Sequence, residues 1–127
     1  MELRQVPPAG RPFVEGYGAD GFRIGVERFP GGAMILMERV VAWTPTHPHD
    51  LSPDELELLA ADRPEIVLLG TGRDFRPLSA PLREAFRSRG IGVEAMASVA
   101  ACRTYNILLS ESRRVVAALR PVEQRPS

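Results

Sequence analysis

The residues of this 127-residue chain whose types could do chemistry are Cys102, the pair His47 and His49, the turn Gly70-Thr71-Gly72-Arg73-Asp74, and the segment Ala100-Ala101-Cys102-Arg103-Thr104-Tyr105-Asn106. A cysteine nucleophile needs a lowered pKa and a positioned base. Cys102, the sole cysteine, falls at the centre of an apolar helical stripe, and no histidine is placed to activate it, so a buried free thiol is expected. His47 and His49 have the i, i+2 spacing of two metal ligands on an extended segment, but no third ligand follows in a recognised pattern. Serines show no G-x-S-x-G elbow and carboxylates no acid–base spacing. Every basic side chain is arginine, and the absence of lysine excludes Schiff-base chemistry and a Walker-type phosphate site. No catalytic residue, metal ligand set or cofactor is assigned, and the residues lean away from an enzyme without deciding it.

A ligand site is the remaining candidate. Glycines at 70 and 72 let the backbone turn sharply and aim N–H groups at an anion. The turn is not the full G-x-G-x-x-G fingerprint, because position 75 is Phe and no helix starts there, so a tight strand exit is its plainer reading. At 100° per residue from Cys102, Val99, Tyr105 and Leu109 lie within about 60° and Asn106 about 40° away. Asn106 therefore points to the core and should be hydrogen-bonded, most simply to the Gly70–Gly72 turn or to a ligand. Arg103, at the stripe's edge, could reach that loop or Asp74, a structural ion pair being the plainer reading. The hypothetical ligand-binding set is Gly70, Thr71, Gly72, Arg73, Arg103 and Asn106, between the turn and the Cys102–Asn106 helix face.

The elements that would position these residues follow from periodicity. Gly21 to Val26 alternates, with Phe22, Ile24 and Val26 on one face, and Ala33–Leu36 and Arg39–Trp43 are further strand candidates. Together they read as an N-terminal antiparallel meander. Ser52 as N-cap, Pro53 at N1 and Glu55 at N3 form a capping-box signature for a helix that ends near Arg63, before Pro64. Ile66–Leu69 is an all-apolar strand. A helix over Ala80–Arg89 closes on Gly90, and a strand at Ile91–Met96, a helix at Ser98–Ser110 and a strand at Val115–Leu119 follow. Alternating helices and strands imply crossovers, hence a mostly parallel sheet, and in such sheets ligands sit beyond the carboxyl ends of the strands. The fold class is α/β, a mostly parallel sheet with an added β layer. The chain reads as a single domain over 1–127 with loosely held tails at about 1–12 and 121–127.

Sixteen basic and 16 acidic side chains balance to zero net charge, which argues against a nucleic-acid partner. No apolar run is long enough for a membrane span and no secretory signal is visible, so a cytoplasmic location is expected.

The turn Gly70-Thr71-Gly72, the A-A-C-R-T-Y-N stretch and the closing strand with Ala117, Ala118 and Leu119, together with Tyr17 and Trp43, resemble one small family. It is the uncharacterised-domain family, of Mth938-like fold, that includes the mitochondrial respiratory complex I assembly factor 3 and an adipogenesis-associated cytosolic protein. The resemblance implies a three-layer β+α/β/α fold with a central mixed sheet. It further implies a protein that works through protein partners, assisting assembly of a respiratory or membrane complex by peripheral association. It supplies no reaction and no cofactor, and this chain lacks the presequence-like leader of the mitochondrial members.

Overall fold

The computed structural model describes residues 10–123. Phe22 and Phe29 face each other across a small antiparallel sheet of β1 (Val14–Gly18), β2 (Gly21–Ile24) and β3 (Glu27–Phe29). Gly25 and Val26 form the two-residue turn between β2 and β3, where Ile24 pairs with Glu27. Val26 is therefore not on the Phe22–Ile24 face as its alternation predicts. It sits at the turn, 97% exposed. β1 carries glycines at two of five positions, which hides its alternation, and the sequence reading assigns no strand there.

A second sheet takes the order β5-β4-β8-β6-β7, with β4 (Gly32–Ile35), β5 (Val40–Trp43), β6 (Ile66–Gly70), β7 (Gly92–Met96) and β8 (Val115–Leu119). β6 pairs in parallel with both β7 and β8, while β4 is antiparallel to β5 and β8. All strands but β4 thus run the same way, a mixed and mostly parallel sheet. The expected meander is split: its first strand joins β1 and β3 in the separate sheet, and β4–β5 extend the central one.

α1 (Pro53–Ala60) begins where the capping box requires, with Glu55 N donating to Ser52 Oγ at 3.1 Å and Ser52 N to Glu55 Oε1 at 2.8 Å. α2 (Ala80–Arg87) ends in a Schellman turn. Ile91 N donates to Phe86 O at 3.1 Å and Gly90 N to Arg87 O at 2.9 Å, with Gly90 at φ +72. α3 (Ser98–Ser110) has the predicted limits.

Two cores sandwich the central sheet. Ile35, Leu68, Val115 and Ala117 pack on one side with the small sheet and with Ala101, Cys102, Tyr105 and Leu109 of α3. Met34, Val67, Leu69 and Val116 pack on the other with Leu56 and Leu59 of α1 and Leu82 and Phe86 of α2. The result is the expected β+α/β/α layering.

Most of the residues expected to form loosely held tails fall outside the described residues, and most of those that are described are packed. Residues 1–9 and 124–127 lie outside the described part, but Arg11 is buried and donates to Leu36 O and Val115 O at 3.1 and 2.7 Å. Tyr105 Oη donates to Pro12 O, and Val122 packs against the α3-side core. No helix among the described residues is long and apolar enough to cross a membrane.

Candidate functional site

The strands that run together bring their carboxyl ends to one edge, and the Gly70–Gly72 turn is locked there. Thr71 N donates to Met96 O and Gly72 N to Ser98 Oγ, at 2.8 and 2.9 Å. Ser98 Oγ donates onward to Arg120 O at 2.7 Å, and Ser98 N to Gly72 O at 2.8 Å. One serine thus ties the ends of β6 and β8 to the start of α3. A Cβ on Gly70 would lie 2.8 Å from Ser98 Oγ, so this close approach requires glycine. The N–H groups of Thr71 and Gly72 are consumed by the protein rather than offered to an anion. Thr71 Oγ1 also donates to Asp74 O at 2.7 Å and accepts from Arg76 N at 3.1 Å, which shapes the loop that follows.

The predicted helix-face partners of this turn lie elsewhere. Asn106 accepts from Val14 N at 2.8 Å and donates to Val14 O at 2.9 Å, a reciprocal bracket that holds β1 against α3. The inference that Asn106 is hydrogen-bonded stands, but its partner is β1 and not the glycine turn. Asn106 lies eight positions after Ser98, which meets the turn, so the amide is more than two helical turns away. Arg103 is exposed on the outer surface of α3 and makes no ion pair with Asp74. Arg73 is exposed beside a depression of about 260 Å³ that it shares with Thr71, Asp74 and Arg76. Cys102 is buried, and burial pushes its thiol up to about 12.

What the carboxyl edge does contain is a cleft of about 630 Å³ lined by Thr71, Arg76, Arg120, His49, Pro45 and Pro48 among others. It narrows inward to a cavity of about 30 Å³ bounded by Trp43, Gly70, Leu51, Leu69 and Leu82. Arg120, the first residue after β8, organises the roof. Its Nη2 donates to His47 O at 2.7 Å and Asp50 O at 2.9 Å, and its guanidinium stacks 5.2 Å from the Trp43 ring. Trp43 Nε1 donates to Glu55, so the capping-box carboxylate also anchors the wall of the inner cavity. Burial acts to raise the Glu55 carboxyl, but the Ser52 and Trp43 donors outweigh it and hold the carboxyl below its usual range. Burial lowers Arg120 from its ordinary value, against the pull of Glu55 and Asp50.

Of the residues expected to form the site, Thr71 lines the cleft and Gly70 its inner cavity. Arg120, Arg76 and Trp43 are additions to the sequence expectation, and His49, expected only as half of a metal pair, lines the cleft instead. The rule that ligands lie beyond parallel strands points to the turn after β6 and the helix after β7, and it applies equally to Arg120, which directly follows β8.

This architecture defines a three-layer β+α/β/α domain with a ligand-sized cleft at the carboxyl edge of a mixed sheet. Comparison with known proteins agrees on the fold. A Mth938-like domain from Bordetella pertussis, solved by NMR, superposes with a TM-score of 0.77 at 30% identity, covering 98% of this chain and 94% of that one. The crystal structure of an outer membrane protein from Bartonella henselae gives 0.80 at 31% identity, over 93% and 100% of the two chains. The family model for proteins of unknown function designated DUF498/DUF598 matches residues 14–120, and the chain belongs to that family. The human NADH dehydrogenase [ubiquinone] 1 alpha subcomplex assembly factor 3 is 35% identical over 123 residues, which is 95% of this chain and 67% of the human protein.

Proposed function

We propose that this chain is a non-catalytic interaction protein that assists assembly of a respiratory membrane complex. The observation that carries the reading is the 35% identity to the human assembly factor across 95% of this chain. Its surface offers a suitable contact. Phe75 is 60% exposed between the exposed Arg73 and Arg76, on a loop braced by Thr71 Oγ1. Aromatic and arginine side chains are the types that anchor protein interfaces. In this reading the protein acts from the cytoplasm through protein partners, by peripheral contact with the complex.

Removing the chain from its own cell should lower the amount of assembled NADH dehydrogenase resolved by native electrophoresis. Re-expression of the wild type should restore it, and Phe75→Ala less fully. An undiminished complex in the deletion strain overturns the proposal.

A further inference from the structure

We propose that the carboxyl-edge cleft binds a small molecule bearing an oxyanion, a carboxylate or a phosphate, between Arg76 and Arg120 beneath the His47–Asp50 loop. The inference is independent of the assembly reading.

Position is the first argument. β6 leads into α2 on one side of the sheet, whereas β7 leads through α3 on the other side and returns past β6 as β8. The cleft opens beyond the ends of β6 and β8, where these connections diverge, the place at which open α/β sheets bind ligands. Its volume of about 630 Å³ suits a small metabolite. The inner cavity of about 30 Å³ has room for little more than water, so the ligand must lie in the outer cleft against the arginines.

The second argument is which hydrogen-bonding groups are already engaged: Asp50 and Glu55 keep their charge and pull on Arg120, but among the described residues neither forms an ion pair with its guanidinium. Asp50, lining the inner cavity, accepts from Leu51 N at 2.8 Å, and Glu55 is occupied by the Trp43 indole and the Ser52 N–H. Glu123 stands on the wall of the outer cleft as its one carboxylate among the described residues. On the basic side, the Arg76 guanidinium has no hydrogen bond or ion pair among the described residues. Arg120 commits only Nη2, to the two roof carbonyls, which leaves Nε and Nη1 without a partner among the described residues. Stacking on Trp43 and the two carbonyl bonds fix that guanidinium in place, so its free N–H groups are preorganised. Two guanidinium groups with spare donors on one concave surface match the geometry of carboxylate and phosphate oxygens.

The test uses the full chain labelled with 15N and titrated at physiological salt, separately with inorganic phosphate and with succinate. Saturable shifts at the amides of His49, Thr71, Arg76 and Arg120 are expected with at least one probe. Response to phosphate alone identifies a phosphoryl ligand, and response to succinate alone a carboxylate. Arg76→Gln should weaken binding by about tenfold or more, as loss of a charge-assisted hydrogen bond requires, while the rest of the spectrum is unchanged. Arg39→Gln, which removes an exposed arginine before β5 at the other edge of the sheet, should bind as the wild type does. Arg120 also anchors the roof, so its removal would confuse folding with binding. The proposal is overturned if neither probe gives saturable shifts, if the shifts map away from the cleft, or if Arg76→Gln binds with unchanged affinity.

Discussion

Replacing Asn106 by alanine should detach β1 from α3. Among the described residues the Asn106 side chain is the sole side-chain partner of both the N–H and the C=O of Val14, and Val14 is 6% exposed, so water cannot readily take its place. Only one orientation of the amide satisfies both bonds, because Val14 offers one donor and one acceptor. Each bond contributes about 1 kcal/mol net, and stranding the two buried backbone groups raises the loss to about 2 to 4 kcal/mol. Against a total stability on the order of 5 to 15 kcal/mol, that is a large share. With a urea m-value of about 1 to 3 kcal/mol/M, the unfolding midpoint should fall by about 1 to 2 M. Hydrogen exchange at the Val14 amide should accelerate far more than at Leu68 in the central sheet. Asn106→Asp sharpens the test, since a carboxylate accepts from Val14 N but faces Val14 O without a donor, and it should not restore stability. A midpoint shift below about 0.3 M, or unchanged exchange at Val14, would refute the reasoning.

Other outcomes follow from the same contacts. Ser98→Ala removes the partner of both Gly72 N and Arg120 O and should cost about 2 to 3 kcal/mol in urea unfolding. Trp43 is the only tryptophan and is 7% exposed, so native emission should be blue-shifted relative to the unfolded chain. Trp43→Phe, which keeps a ring beneath Arg120 but loses the bond to Glu55, should cost about 1 to 2 kcal/mol. Burial raises both Cys102 and Tyr105 to about 12, from ordinary values of 9.0 and 10.0. The unfolded chain therefore releases these protons first, and stability should fall as pH rises from about 9 towards 12. Cys102→Ala should flatten the lower part of that decline, and native Cys102 should react with a thiol reagent only as fast as the protein opens.

Features set by neighbouring residues were readable in the sequence. The Ser52–Glu55 box, the Gly90 stop and the limits of α3 each depend on contacts within a few positions, so their signals lie in short stretches of chain. Helical geometry likewise showed that Asn106 faces inward. It could not show what waits there, because Val14 is 92 positions away and β1 lacks a readable alternation. The cleft was hidden for the same reason. Arg120 reaches Asp50 across 70 positions and His47 across 73, and the pairing depends on β5 and β8 ending at the same edge. Val26 misled because alternation continues through a two-residue turn as smoothly as along a strand.

The place of β8 in the sheet bears on how the chain comes together during synthesis. β8 is the last strand of the described residues, yet it lies in the middle of the order β5-β4-β8-β6-β7. Until the ribosome has passed Leu119, the β4–β5 hairpin and the β6–β7 pair have no strand to join them, Arg11 lacks Val115 O, and Arg120 is not yet there to hold the His47–Asp50 loop. Closure of the central sheet is therefore one late, long-range event, a topology that folds slowly. A nascent chain halted before Val115 would expose the apolar flanks of both halves to any holdase chaperone at the tunnel exit.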